Sequence, residues 1–147
     1  MMKKIFLAVG ITIAVSACAT KPINTNTARS TPPERIFAPE LMQPGQDKVV
    51  LIVARDAGFM GSGCMTAVYL DGRKVSTIDN AEKVTFHVAP GRYILGTGPN
   101  PEGKALCRFG AESARRETEI IAELGKPLKY RLALSANGEI SVAPTAF

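Results

Sequence analysis

Lys48-Val49-Val50-Leu51-Ile52-Val53-Ala54-Arg55 sets the fold class. Six apolar residues in a row, four of them β-branched, are closed by a charge at each end. The run has strand length, and β-branched side chains pack better on a pleated surface than in a helix. Without polar alternation, it suits a strand buried on both faces. Downstream, residues 56–63 form a loop with three glycines, Gly58, Gly61 and Gly63. Met65 to Leu70 reads as a strand, Asp71-Gly72 is a hairpin turn, and Arg73 to Ile78 returns. Lys83 to Ala89 alternates, with Val84, Phe86 and Val88 on one face and Thr85 and His87 on the other. Pro90-Gly91 then reads as a turn, and Arg92 to Thr97 returns, which would set Val88 against Tyr93 and Phe86 against Leu95.

Residues 111–124 fit two templates. Ile120, Ile121 and Leu124 suit a helix end, whereas Thr118, Ile120, Ala122 and Leu124 suit a strand. A turn at Gly125-Lys126-Pro127 would set Leu124 against Leu128, Ala122 against Tyr130 and Ile120 against Leu132, with Glu123 opposite Lys129. That register favours the strand. Leu128 to Ser135, the turn Asn137-Gly138 and Ile140 to Ala143 complete the chain. Seven or eight short strands in residues 48–147 give an all-β expectation: a small antiparallel β-sandwich.

Upstream, residues 18–47 are rich in Thr, Asn, Pro and Ser and lack apolar periodicity. Pro32-Pro33, Pro39 and Pro44-Gly45 oppose regular structure, so the stretch is expected to be a flexible tether spanning about 30 Å. Its apolar pairs Ile36-Phe37 and Leu41-Met42 are expected to lie against the domain or to bind a partner.

Residues 1–17 read as an export signal. Lys3 and Lys4 form a cationic start, and Ile5 to Val15 is an uncharged run of 11 residues. A permanent membrane helix needs about 20. Val15-Ser16-Ala17-Cys18 resembles the lipobox of bacterial lipoproteins. The resemblance implies diacylglycerol on the Cys18 thiol, cleavage before it and acylation of the new amine. Two or three acyl chains would make attachment nearly permanent. Residue Ala19 is not Asp, which under the sorting rule of enteric lipoproteins implies the outer membrane, facing the periplasm. With Cys18 lipidated, Cys64 and Cys107 remain as an even pair in an oxidising compartment, and a disulfide between them is expected. It would close a loop of about 44 residues and contribute roughly 4 kcal/mol in the chain-entropy model.

Charge and composition exclude several functions. The chain has 18 basic and 13 acidic side chains; without Lys3 and Lys4 the net charge is +3, too mild to point to nucleic acid. Aromatic residues are 6% with no Trp, which removes a base-stacking platform. One histidine excludes a site of several His ligands.

Val68-Tyr69-Leu70-Asp71-Gly72-Arg73-Lys74-Val75 and Val88-Ala89-Pro90-Gly91-Arg92-Tyr93 resemble the PEGA-type β-sandwich domains and related uncharacterised lipoprotein families. The Pro-Glu-Gly-Ala motif itself is missing, so the resemblance implies a fold and no ligand. In architecture alone, the chain is also similar to the transthyretin-like lipoprotein of type VI secretion.

Candidate chemistry is sparse. His87 has no nucleophile beside it in sequence; Gly61-Ser62-Gly63 lacks both the G-x-S-x-G pattern and the Gly-Lys-Ser/Thr ending of a phosphate loop. Asp56, Asp71, Asp79 and Glu82 lack metal-ligand spacing. Arg108, Arg115 and Arg116 suit either a solvated strand edge or an anionic partner such as lipid headgroups. The expectation is a lipid-anchored envelope protein that binds or scaffolds a protein partner, without catalytic residues, metal or cofactor. The glycine-rich loops 56–63 and 96–106, which the expected disulfide would pin together, are the candidate contact surface, with Phe59 and Met60 in the first as contact residues. A part in a secretion or conjugation complex, or an enzyme acting on an envelope polymer, are the alternatives.

Overall fold

The computed structural model describes residues 19–59, 61–109, 111 and 113–147. The signal segment, Cys18 and Met60 lie outside the described residues. In chain order the strands are β1 (Arg29–Ser30), β2 (Val49–Arg55), β3 (Thr66–Leu70), β4 (Arg73–Ile78), β5 (Glu82–Val88), β6 (Gly91–Pro99), β7 (Arg116–Ala122), β8 (Leu128–Leu134) and β9 (Ile140–Pro144). They form two sheets, ordered β1-β5-β2-β8-β9 and β4-β3-β6-β7. Phe86, Leu51, Val53 and Leu132 of the first sheet share one buried core with Val68, Ile78, Leu95 and Ile120 of the second. The β-sandwich expectation is met. Most pairings are antiparallel, but β2 runs parallel to β8 and β1 parallel to β5. The ambiguous stretch resolves as strand from Arg116 onward.

Two expected hairpins are present. Asp71 (φ 49°) and Gly72 (φ 80°) are both left-handed, as the tight turn joining β3 to β4 requires. Between β8 and β9, Gly138 (φ 79°) closes a longer turn in which the Ser135 amide donates to the Glu139 carbonyl.

Two other expected pairings are absent. β5 and β6 enter different sheets: Val88 lies opposite Val49 and Phe86 opposite Leu51, not Tyr93 and Leu95. β7 and β8 likewise separate, β7 pairing with β6 and β8 with β2. The reason lies in the turns. Proline holds φ near −65°, so Pro90 cannot take the left-handed first position of a primed turn, and unprimed turns splay the strands they join. At the other corner Gly125 is left-handed (φ 77°) but Leu124 is not, and only an isolated bridge, Glu123 to Lys126, remains of the ladder. Ile120 and Leu132 still meet in the core, across the two sheets.

The expected flexible tether packs on the sandwich instead. The Thr20 amide donates to the Leu134 carbonyl (3.0 Å), and Lys21 and Ala57 exchange two backbone bonds. The fully buried Thr25 hydroxyl donates to the Phe147 carbonyl (2.6 Å), and the Lys83 ammonium donates to the Thr25 carbonyl. β1 then caps the edge of β5, and the Phe37 amide donates to Val75 at the edge of β4. Ala38 is buried, and Ile36, Leu41 and Met42 pack against the core, as one reading of those apolar pairs anticipates. Arg35 donates twice to Glu82 (2.8 Å each), a carboxylate on the inward face of β5. Residues 19–47 are thus a strap along one side of the sandwich. A proline-rich chain can serve there because an edge asks for only some of its backbone donors.

Candidate functional site

Strand direction gathers the site at one end of the sandwich. The ends of β2, β6 and β8 and the starts of β3, β7 and β9 all lie there. The loops at this end are 56–65 and 100–115, and the Cys64–Cys107 disulfide joins them, with Cα atoms 5.2 Å apart. The expected pairing of these cysteines is present.

The first loop is held from beneath by Arg55. Parity along β2 turns Val49, Leu51, Val53 and then Arg55 inward, and Arg55 is buried. Its guanidinium donates to the carbonyls of Cys64 (2.5 Å), Gly61 (2.6 Å) and Ile78 (3.2 Å). Burial lowers the Arg55 pKa from its ordinary value, opposed by the nearby carboxylates of Asp79 and Glu82. The Gly58 amide donates to the Asn80 side chain (3.1 Å), tying the loop to the β4–β5 turn. Gly61 is left-handed (φ 67°) and lies against Leu134, so a side chain there would be strained. In the second loop a Cβ on Gly103 would stand 2.9 Å from the Asn100 carbonyl and 3.0 Å from the Cys107 Cβ, so the chain needs glycine to close over the disulfide. The sequence reading passes over Arg55; the inward parity of β2 is the signal that finds it.

Above this frame stand three large apolar side chains. Phe59 is 92% exposed, Leu106 85% and Phe109 83%. Leu106 and Phe109 border a groove of about 230 Å³ lined also by Met65, Pro99, Leu134 and Ile140. Phe59, singled out from the sequence, therefore has two apolar companions from the other loop that sequence reading omits. Lys104 and Arg108, on either side of Leu106, are exposed, and their side chains make no hydrogen bond or ion pair among the described residues, their carbonyls accepting from the Cys107 and Ala111 amides.

The other candidates do not gather into a second site. His87 is half-buried, lies opposite Val50 near the far end of the sandwich, and Ser62 sits in the loop at this end, so they do not form a nucleophile–base pair. Asp56 accepts from Arg131 and from the Thr20 hydroxyl (3.2 Å). Asp71 accepts from the Ile94 amide, and Asp79 from the Asn80 amide. Each of these acids, like Glu82, has a structural partner, and no group of three or more His, Cys, Asp or Glu with metal-holding geometry occurs among the described residues. Arg115 lies over the Tyr69 ring (3.9 Å) and pairs with Glu117, while Arg116 donates to backbone carbonyls of Ser113 and Arg115. Of the three arginines, Arg115 is paired, whereas Arg108 and Arg116 are exposed with no carboxylate partner among the described residues. No protein-family model matches the chain, and no curated protein is significantly similar to it.

Proposed function

We propose that this chain is a lipid-anchored protein of the bacterial cell envelope that works as a binding or scaffolding module, attached through Cys18 and displayed at the periplasmic side of the outer membrane. The single observation that supports a binding role is the exposure of Phe59, Leu106 and Phe109 on two loops clamped by a disulfide and by Arg55. Large apolar side chains normally seek a core, and a cluster left in water on a rigid frame marks a contact surface. The export reading supports the disulfide and the disulfide supports the frame: such bridges persist in oxidising compartments.

The anchor is tested by labelled palmitate incorporation in cells, with Cys18→Ser as the control. Label in the parent and none in the variant is the expected result; equal label, or none in either, overturns the anchor. The contact surface is tested by substituting Phe59→Ser and Phe109→Ser together and measuring what the lipidated protein cross-links to in cells. A pattern of cross-links unchanged to lipid and to protein alike overturns the assignment of this surface. Hydrolysis of an envelope polymer by the purified domain, lost in His87→Ala, would replace the binding reading with the enzymatic one.

A further inference from the structure

We propose that the exposed loop end seats on the bilayer that holds the Cys18 lipid, with Phe59, Leu106 and Phe109 in the interfacial layer and Lys104 and Arg108 against anionic headgroups. The inference rests on the lipid-anchor reading and names the partner of its contact surface.

Little chain lies between the anchor and the body. The described chain starts at Ala19, and Thr20 is already fixed by its bonds to Leu134 and Asp56. One residue, Ala19, separates Cys18 from Thr20, two Cα steps or a contour of about 7 Å. The strap that sequence reading supplies as slack is spent along the sandwich edge, after this point. An acyl chain on Cys18 therefore draws Thr20 to the headgroup layer.

Thr20 belongs to the loop end. It packs beside Gly58: a Cβ added to that glycine would lie 3.1 Å from the Thr20 Cα. Phe59 is the next residue. Leu134, its other partner, lines the groove with Leu106 and Phe109. The Asp71-Gly72 and Pro90-Gly91 turns stand at the opposite end, about 20 Å away along the seven-residue strands. Of the two ends, the one nearest the anchor is the one that exposes the apolar cluster.

In Lys104-Ala105-Leu106-Cys107-Arg108-Phe109 apolar and cationic side chains alternate in a short turn, all four of Lys104, Leu106, Arg108 and Phe109 being exposed. Aromatic and aliphatic groups partition into the interfacial layer while neighbouring cations attract anionic lipid. Lys21, exposed beside the entry point, adds a further cation at the same end.

The chain has no Trp, so a single introduced Trp is its only indole fluorophore. The lipidated full chain carrying Phe59→Trp, Phe109→Trp or Tyr93→Trp is reconstituted in vesicles of phosphatidylcholine and phosphatidylglycerol with acyl chains brominated or not. Brominated lipid is expected to cut emission to about half or less at positions 59 and 109 and to leave position 93, at the far end, unchanged. Far-UV spectra check that each variant folds, with Leu106→Trp as replacement reporter. If the protein floats with the vesicles and none of the loop positions is quenched, the seating is wrong and the anchor stands. If the chain carries no lipid, the anchor and the seating fall together. A photo-reactive residue at position 59 that captures a protein in cells, with no quenching in vesicles, hands the surface to a protein partner instead.

Discussion

The strap, residues 19–47, and the loop end, residues 56–65 and 100–115, invert each other's composition. The strap is polar and proline-rich, yet Thr25, Thr31 and Ala38 are buried in it. The loop end exposes Phe59, Leu106 and Phe109. The difference is in what holds each region. Along the strap, sheet edges and the inward Glu82 carboxylate offer partners to most polar groups that leave water; the Thr31 amide donates to the Lys83 carbonyl, and its buried hydroxyl is the exception without a partner among the described residues. Arg35 on Glu82, Thr25 on Phe147 and β1 on β5 are instances. At the loop end a covalent bond and the three-carbonyl grip of Arg55 set the backbone, and the apolar side chains are not needed for burial. Hydropathy thus indicates which groups tolerate burial; it does not say which ones the fold uses.

The contrast fails first if the strap is dispensable. Deleting residues 19–47 should uncover the edges of β4 and β5 and remove the partner of buried Glu82. The expected loss is most of the 5–15 kcal/mol typical of a domain, visible as aggregation on size exclusion and loss of a cooperative thermal transition. A monomeric truncated domain melting near the parent temperature would mean the strap is only laid on the surface.

Arg35→Ala isolates the ion pair. It leaves the buried Glu82 carboxylate with the exposed Arg29, 3.8 Å away, as its one remaining ion pair among the described residues, beside the Asp79 amide (3.0 Å) and the nearby Arg55 charge, and should cost about 3 kcal/mol in urea unfolding. Glu82→Gln in the same background should recover part of that loss, because the uncompensated charge is gone. No recovery would assign the cost to packing.

For the loop end, Cys64→Ala with Cys107→Ala should cost about 2–4 kcal/mol, with amide exchange accelerating in the two loops more than in β2 or β8. Uniform acceleration would show that the disulfide supports the whole sandwich. Phe59→Ser and Phe109→Ser should move stability by no more than about 0.5 kcal/mol, since neither side chain is buried. A larger loss would place them in the core's service and remove the reason to read them as a contact surface.

Most strand positions are legible in the amino-acid sequence, because periodicity and β-branching are local. Lys48 to Arg55 shows this most directly, and the inward line Val84, Phe86, Val88 appears as read. Cys64 and Cys107 are legible through counting. Of the site, Phe59 is visible as an apolar residue among glycines, whereas Leu106, Phe109 and Arg55 are not brought to it. Counting cysteines already lays the loop before Cys107 beside Phe59; a sequence window does not say which side chains of that loop stand in water, or which carbonyls an inward arginine will meet.

Strand limits, tight turns and the possibility of one cysteine pair are therefore written locally in the chain. Which sheet each strand enters, and what becomes of the strap, follow from the packed whole. Asp71-Gly72 keeps its strands in one sheet because both residues turn left-handed, while Pro90-Gly91 sends its strands apart. Strand alternation is a property of neighbours in the chain. Ladder partners, and ion pairs such as Arg35 with Glu82 across 47 residues, are settled only when two sheets close on one core and leave particular edges and buried charges to be met.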